Sequence, residues 1–357
     1  MTDVQNTFEA PKTLAFSSDY KRIAVEEAWA PQQLLDLYRT ELAAGNITDP
    51  GFKSLWGYYL GDSQRASLLA ERIVEAGPNR IAAMDAAGVD VQILSLTCPG
   101  VQILKADIAK PMAEDANDIL KQTVEANPDR FYGLTAIAPQ DPEHAAQEIR
   151  RGHDKLGFKG VIINSHTQGE YLDDKKFWPI FEAAESLDTP IYLHPNTPSA
   201  QMIQPYVEAG LDGAIFGFSA ETGLHLLRII TSGVFDRFPN LKIVVGHLGE
   251  ALPYWMWRID FMHDTAVRTK RYDAIKPLKM RPSDYLKRNI WYTSSGMPWA
   301  PALDFVRNVV GKERVMFAWD YPYQWSPKEV ADTDAIAWPL VDKKEFFQGT
   351  AAQVFRL

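Results

Sequence analysis

Four short stretches of this 357-residue sequence place groups able to bind a divalent cation or move a proton on or just after apolar runs. They are "RIAVEE" with Glu26 and Glu27, "PIYLH" with His194, "KIVVGH" with His247, and "RVMFAWD" with Asp320. An apolar run that ends on a carboxylate needs a reason, because a buried negative charge is expensive unless its surroundings favour it. Carboxylate and imidazole together suit Zn²⁺, Mn²⁺ or Fe²⁺, and a cation would offset the desolvation of Asp320. Each residue also has an ordinary reading. A lone His at a strand end is more often a hydrogen-bonded structural group, and polar residues gather where strands meet solvent. The weight lies in the set: His, His and Asp after three such runs, with a carboxylate on a fourth.

Eight apolar runs recur along the chain, at 22–27, 91–96, 131–137, 160–164, 190–194, 242–247, 289–294 and 314–320. Most are continuous rather than alternating, as expected of strands covered on both faces of a parallel sheet. The segments between them carry helical signals. "DPEHAAQEIRRGHDKLG" opens on Asp-Pro and closes on Gly157, a start and a stop in the right order. "ETGLHLLRIITSGVF" and "WAPALDFVRNVVG" repeat apolar residues three and four apart. Eight strand–helix units predict an α/β protein, a (β/α)8 TIM barrel, whose active site is built at the strand C-termini. An open doubly wound sheet ranks second, since no Gly-rich phosphate loop follows the first run.

The chain reads as a single barrel domain over 1–357. An extended N-terminal arm covers 1–20, and a lid insertion with the first helices covers 30–90. Long connections at 195–241 and 248–288 also leave from strand C-termini. "FKSLWGYYLGDSQR" is the expected cap over the barrel mouth, with Trp56 and Tyr59 as a stacking wall for an aromatic ring.

Hydrophobic content of 46% and charged content of 23% are ordinary for a globular chain. A net charge of −9, spread along the sequence, argues against nucleic-acid or anionic membrane partners. The one cysteine, Cys98, excludes an internal disulfide and fits a reducing compartment. No signal-peptide pattern opens the chain, and no run reaches the roughly 18 apolar residues of a membrane span. A cytoplasmic protein is expected.

The motifs "IAVEEAWA", "LSLTCPGVQ", "INSHTQGEYLD", "PIYLHP", "GHLGEALPYWMWRIDF" and "MFAWDYPYQ" resemble the amidohydrolase superfamily from about Arg22 onward. The likeness is to its non-hydrolytic decarboxylase branch, which holds the aminocarboxymuconate semialdehyde, γ-resorcylate, 2,3-dihydroxybenzoate and 5-carboxyvanillate decarboxylases. "SLWGYY", "GEALPYW" and "DYPYQ" are most similar to the 5-carboxyvanillate members. The resemblance implies that Glu26, His194 and Asp320 bind one divalent ion, Mn²⁺ first and Zn²⁺ second, with no organic cofactor. It implies that His247 and Glu250 form a catalytic pair behind the metal, and that Arg65, Arg258 and Tyr323 bind substrate. Thr97 and His166, just past strands, are further expected contacts. Several members carry a His two residues after the metal-binding Glu. Here that position is Ala28, which the 5-carboxyvanillate members share, so three protein ligands and open positions are expected. Trp29 stands where Phe is usual, which narrows the pocket.

The reaction so implied is loss of CO2 from an ortho-hydroxy aromatic acid, with 5-carboxyvanillate going to vanillate the first choice. Direct loss of CO2 would leave an aryl carbanion. Protonating the ring carbon first is easier, with a metal holding the phenolate and carboxylate oxygens and an acid delivering the proton. Asp320 is the first choice of donor and His247 the second. Arg65 and Arg258 suit bidentate carboxylate binding, although each also reads as a solvated helix charge, Arg258 with Asp260 or Asp264 as partner. The rival enzyme class is a metal-dependent hydrolase of a lactone or amide, which uses the same ligands; a binding or scaffold barrel would have lost one of them.

His225 reads as a helix-packing residue, and His144, His153 and His263 as surface helix positions. Cys98 has no adjacent base to make it a nucleophile. Finally, "EALPYWMWRIDFMHD" holds more large apolar side chains than one helix face needs. That predicts a homodimer contact unless these aromatics pack beneath the cap. In related decarboxylases the Arg matching Arg258 reaches the neighbouring active site.

Overall fold

A computed structural model describes residues 16–357; residues 1–15 of the expected N-terminal arm lie outside the described residues. Eight parallel strands pair in chain order: β1 (Ile23–Trp29), β2 (Val91–Leu96), β3 (Phe131–Ala136), β4 (Gly160–Asn164), β5 (Ile191–His194), β6 (Ile243–Val245), β7 (Ile290–Thr293) and β8 (Val315–Met316). All but a few of their residues are buried, as strands with helices outside and packed side chains inside must be. The expected (β/α)8 barrel is the observed fold. Among the described residues no helix is long and apolar enough to cross a membrane.

Between β1 and β2 lie α1 (Gln32–Ala43), α2 (Pro50–Tyr59), α3 (Gln64–Val74) and α4 (Pro78–Ala87). The next three connections hold α5 (Ala106–Ala126), α6 (Pro142–Arg151) and α7 (Trp178–Ser186). Between β5 and β6 run α8 (Gln204–Ala209), α9 (Gly217–Thr231) and α10 (Val234–Arg237). The short turn α11 (His247–Glu250), the long α12 (Leu252–Thr269) and α13 (Pro282–Arg288) precede β7, and α14 (Ala300–Val310) precedes β8. Trp56 of α2 is buried against Tyr38 and Phe52, with its indole N–H on the Cys98 carbonyl at 2.9 Å. The aromatic segment is therefore fastened to the barrel by its own small core, and Trp56 belongs to that core rather than to an open wall.

Three expectations change where the site is made. The first strand runs on to Trp29, with a register shift between Ala24 and Glu27 against β2. Such a bulge re-aims side chains, so Glu26 and Glu27 sit within β1 rather than at its end. The sixth strand stops at Val245, and His247, Leu248, Gly249, Glu250 and Ala251 all have left-handed φ. His247 is therefore presented by a tight turn. The eighth stops at Met316, four residues before Asp320, because the amides beyond it find other acceptors. Phe317 N–H donates to the Phe346 carbonyl, Ala318 N–H to Ser294 Oγ, and Trp319 N–H to Glu27 Oε1.

His263 is corrected from surface to interior: it shares the inward face of α12 with Leu252 and Met256. The aromatics on the outer face do not pack beneath the α2 segment. Tyr254 and Trp257 are 72% and 77% exposed, with Trp255, Phe261 and Met262 also open to solvent.

Candidate metal centre and active site

Glu26 is gripped on one oxygen and left free on the other. Its Oε2 accepts from the Tyr192 hydroxyl of β5 and, at 2.9 Å, from Thr293 Oγ1 of β7. Those two hydroxyls are themselves 2.9 Å apart. Oε1 is buried without a hydrogen-bond partner among the described residues. It lies 3.4 Å from His194 Nε2 and 3.8 Å from His247 Nε2. A buried polar atom without a partner calls for an explanation. Two ligands at ordinary bond lengths on one ion stand about 3.0–3.4 Å apart, which matches the Glu26–His194 spacing. Gly246 permits this approach, since a Cβ there would lie 2.7 Å from Glu26 Oε2.

His194 ends β5, and its Nδ1–H donates to the Pro195 carbonyl at 2.8 Å. That fixes the tautomer and leaves the Nε2 lone pair free, the usual arrangement of a ligating imidazole. Burial holds its pKa below the ordinary value, which keeps it neutral and able to ligate. Asp320 flanks this pair at a left-handed φ of 69°. Burial first, and then the Glu26 charge, push its carboxyl up to about 8, with His247 opposing. Among the described residues no three His, Cys, Asp or Glu side chains stand close enough together to hold a metal ion as they are. The donor types, the free oxygen and the ligating tautomer nevertheless fit a divalent ion.

His247 Nδ1 is 2.8 Å from Glu250 Oε1, and its Nε2 is 3.4 Å from Ser295 Oγ. Burial pulls its pKa down, but Glu250 and then Glu26 outweigh burial and push it up to about 10. The pair therefore holds a proton beside the free Glu26 oxygen.

The remaining expected residues separate into three places. Tyr323 and Thr97 meet at the mouth, hydroxyl to hydroxyl at 2.7 Å, with the Tyr59 ring 5.7 Å from that of Tyr323. Arg65 is exposed, its guanidinium 5.1 Å from the centre of the Trp325 ring. His166 is buried, with Nε2 on the Thr197 carbonyl at 3.0 Å and Nδ1 accepting from Gly169 N–H at 3.1 Å. Both of its nitrogens are committed, so it shapes the loop after His194 and has none left for substrate. Arg258 is exposed on the outer face of α12. There it lines a groove of about 470 Å³ with Phe216, Leu224, Trp255 and Met262. Glu250 lines the same groove, so one carboxylate borders both the outer face and the His247 imidazole. A larger cavity, about 910 Å³, lies between α12 and residues 277–284, remote from these groups.

Sequence reasoning missed Tyr192 and Thr293, the residues that orient Glu26. A signal existed for Tyr192: it stands two residues before His194, and strand side chains two apart share a face.

An eight-stranded barrel with carboxylate and imidazole gathered at the strand C-termini defines a class of metal-handling enzymes. Comparison with known proteins narrows it. The amidohydrolase family model matches residues 28–357, and the chain belongs to that family. It is similar to 5-carboxyvanillate decarboxylase from Novosphingobium aromaticivorans, solved with manganese and 4-hydroxy-3-methoxy-5-nitrobenzoic acid. The two share 50% identity over 96% of this chain and 99% of that one, with a TM-score of 0.94. The 5-carboxyvanillate decarboxylase of Sphingomonas paucimobilis is 41% identical over 94% and 99% of the two chains, with a TM-score of 0.89. γ-Resorcylate decarboxylase of Polaromonas sp. is 35% identical over 345 residues, 94% of this chain and 98% of the relative. These relatives are carboxy-lyases.

Proposed function

We propose that this chain is a metal-dependent, non-oxidative decarboxylase of ortho-hydroxy aromatic acids, with 5-carboxyvanillate as substrate and vanillate and CO2 as products. The observation that carries the reading is the free, buried Oε1 of Glu26 facing His194 Nε2 at 3.4 Å, in a chain half identical to a manganese-containing 5-carboxyvanillate decarboxylase. Glu26, His194 and Asp320 would hold one divalent ion, Mn²⁺ first. Bound there, the ion supplies a Lewis acid and a template for adjacent phenolate and carboxylate oxygens.

The rest falls to this chain's own residues. Asp320 takes up a proton as substrate binds and delivers it to the ring carbon that bears the carboxylate. Its burial suits the neutral, donating form. His247, oriented through Nδ1 by Glu250, is the second candidate and a relay to Asp320. Tyr323 and Thr97 offer hydroxyls at the mouth, and Tyr59 offers a ring face to an aromatic substrate. Arg65 stands at the α2–α3 end of the site as a carboxylate partner. Arg258 serves the partner subunit's site in a homodimer joined through α9 and α12.

The test is CO2 release from 5-carboxyvanillate and its 4-O-methyl ether, and from γ-resorcylate and its di-O-methyl ether, with metal analysis of the same preparation. The free phenols should react and the ethers should not. Comparable turnover of phenol and ether would rule out chelation through adjacent oxygens. Turnover of γ-resorcylate alone would retain the reaction class and reject the named substrate.

A further inference from the structure

The barrel has a seam, and the residue that closes it is not one of the expected catalytic groups. Strand pairing runs from β1 through β8, but β8 ends at Met316 and residues 317–321 make no regular ladder with β1. One backbone bond crosses the gap, from Ala28 N–H to the Tyr321 carbonyl at 2.8 Å. The rest of the closure comes from the Glu27 side chain. Its Oε1 accepts from Trp319 N–H at 2.9 Å, and its Oε2 accepts from Tyr321 N–H at 3.3 Å. These amides belong to the residues on either side of Asp320.

Glu27 is wholly buried, as are the groups behind it. Gln92 donates from Nε2 to Glu27 Oε2 at 2.9 Å. Arg80 donates from Nε to Gln92 Oε1 at 2.7 Å and from Nη1 to the Ala28 carbonyl at 3.0 Å. Its guanidinium also lies 4.7 Å from the centre of the Tyr321 ring. A carboxyl group is rarely kept this deep without a compensating hydrogen-bond network. Here the network leads to one place, the backbone that carries Asp320 at φ 69°. A non-glycine residue keeps such a φ only where its surroundings over-determine it.

We propose that Glu27 is a positioning residue that clamps the amides of Trp319 and Tyr321 and thereby sets where the Asp320 carboxylate stands. The clamp rests on the reading of Asp320 as a metal ligand, and it gives the two adjacent acids different roles. Glu26 binds the ion, and Glu27 places another of its ligands. The carboxylate is suited to this because all its nearby partners are donors. An amide in its place would point its own NH2 group at one of them and release part of the grip.

The experiment is Mn²⁺ titration of metal-free wild-type protein, Glu27→Gln and Glu27→Asp, with the melting temperature of each. Glu27→Gln should bind Mn²⁺ about 10–100-fold more weakly, the usual effect of removing a group that orients a ligand. Glu27→Asp, which keeps both acceptor oxygens but has a shorter reach, should fall between the two. Equal Mn²⁺ affinity in folded Glu27→Gln and wild type overturns the clamp. Absence of Mn²⁺ binding by wild type overturns the metal reading instead. Hydrogen exchange on wild type then decides the clamp alone, as it also does if the variants do not fold. With or without EDTA, the Trp319 and Tyr321 amides should exchange as slowly as those of β1. Fast exchange without metal would show that the ion, not Glu27, orders this segment, and the clamp would be wrong.

Discussion

The barrel mouth and the outer face of α12 each invert the ordinary distribution of side chains. At the mouth, Glu26, Glu27 and Glu250 are buried. About 230 residues along the chain from the first of them, the outer face of α12 leaves Tyr254, Trp255, Trp257 and Phe261 in solvent. Charge inside and aromatic surface outside both run against the energetics of a lone soluble domain. They differ in how far the chain itself resolves the conflict. At the mouth most polar atoms are engaged, and among the exceptions Glu26 Oε1 and Glu250 Oε2 lie in or beside the proposed centre. On α12 the aromatics meet mainly one another, Trp257 stacking on Phe261 at 5.3 Å. The first region is prepared for an ion and substrate. The second is the surface on which we propose that another copy of this chain docks.

Removing the ion's ligand should separate the two regions most sharply. His194→Ala should lose bound metal and CO2 release together, measured by elemental analysis and product assay, while leaving the oligomeric state in light scattering unchanged. Retained metal and turnover would remove His194 from the centre.

The second prediction joins the regions. An Arg258→Ala chain mixed with an Asp320→Asn chain, under conditions that allow subunit exchange, should regain activity that neither has alone. In a heterodimer with Arg258 acting across the interface, one site carries both defects and the other none. No recovery despite verified exchange would place Arg258 outside the partner's site.

A smaller effect is expected where α2 meets the loop after His194. A Cβ on Gly51 would lie 2.1 Å from Thr197 Oγ1 and 2.7 Å from Ile203 Cδ1. Gly51→Ala should therefore cost about 1–3 kcal/mol of stability through overpacking, read as a lower melting temperature. An unchanged value would mean that this segment is loosely docked.

The smallest effect concerns His225, buried under the loop that follows β4. Its Nδ1 is 3.1 Å from Ser165 Oγ, and its Nε2 accepts from Leu172 N–H at 2.9 Å. Burial, then His166 and Arg228, push its pKa down to about 3 from 6.5. Between those values the unfolded chain binds a proton that the folded chain does not, so stability falls as pH drops through that window. The contribution is at most about 1.4 kcal/mol per pH unit. His225→Gln should flatten the dependence of melting temperature on pH between 6.5 and 4.5. An identical slope would mean that other groups dominate acid unfolding.

The barrel was legible because its signals are local and repeated. Continuous apolar runs separated by helical periodicity need no tertiary context, and the run ends pointed to Glu26, His194, His247 and Asp320. The expected positions failed where backbone geometry departs from a regular strand: the bulge at Glu26, the left-handed turn through His247, and the exit of the chain from β8 before Asp320. Pattern also placed His263 outside, although the face of α12 it shares with Met256 turns inward. It offered His166 to substrate, although the surrounding loop takes both ring nitrogens.

Sequence alone determined the eight-unit architecture, the acid and imidazole types available for a metal, and the excess of apolar side chains on α12. Each is a property of residue type and spacing within a short window. Tertiary structure decided the rest. It set which oxygen of Glu26 is free, because Tyr192 and Thr293 hold the other from strands about 170 and 270 residues away in the chain. It gave Glu26 and Glu27 separate partners, since bonds from Gln92, Trp319 and Tyr321 reach only the second. It left Arg258 exposed in a groove between α9 and α12. Hydrogen bonds act over about 3 Å in space whatever the distance along the chain, so these assignments are fixed only once the barrel closes.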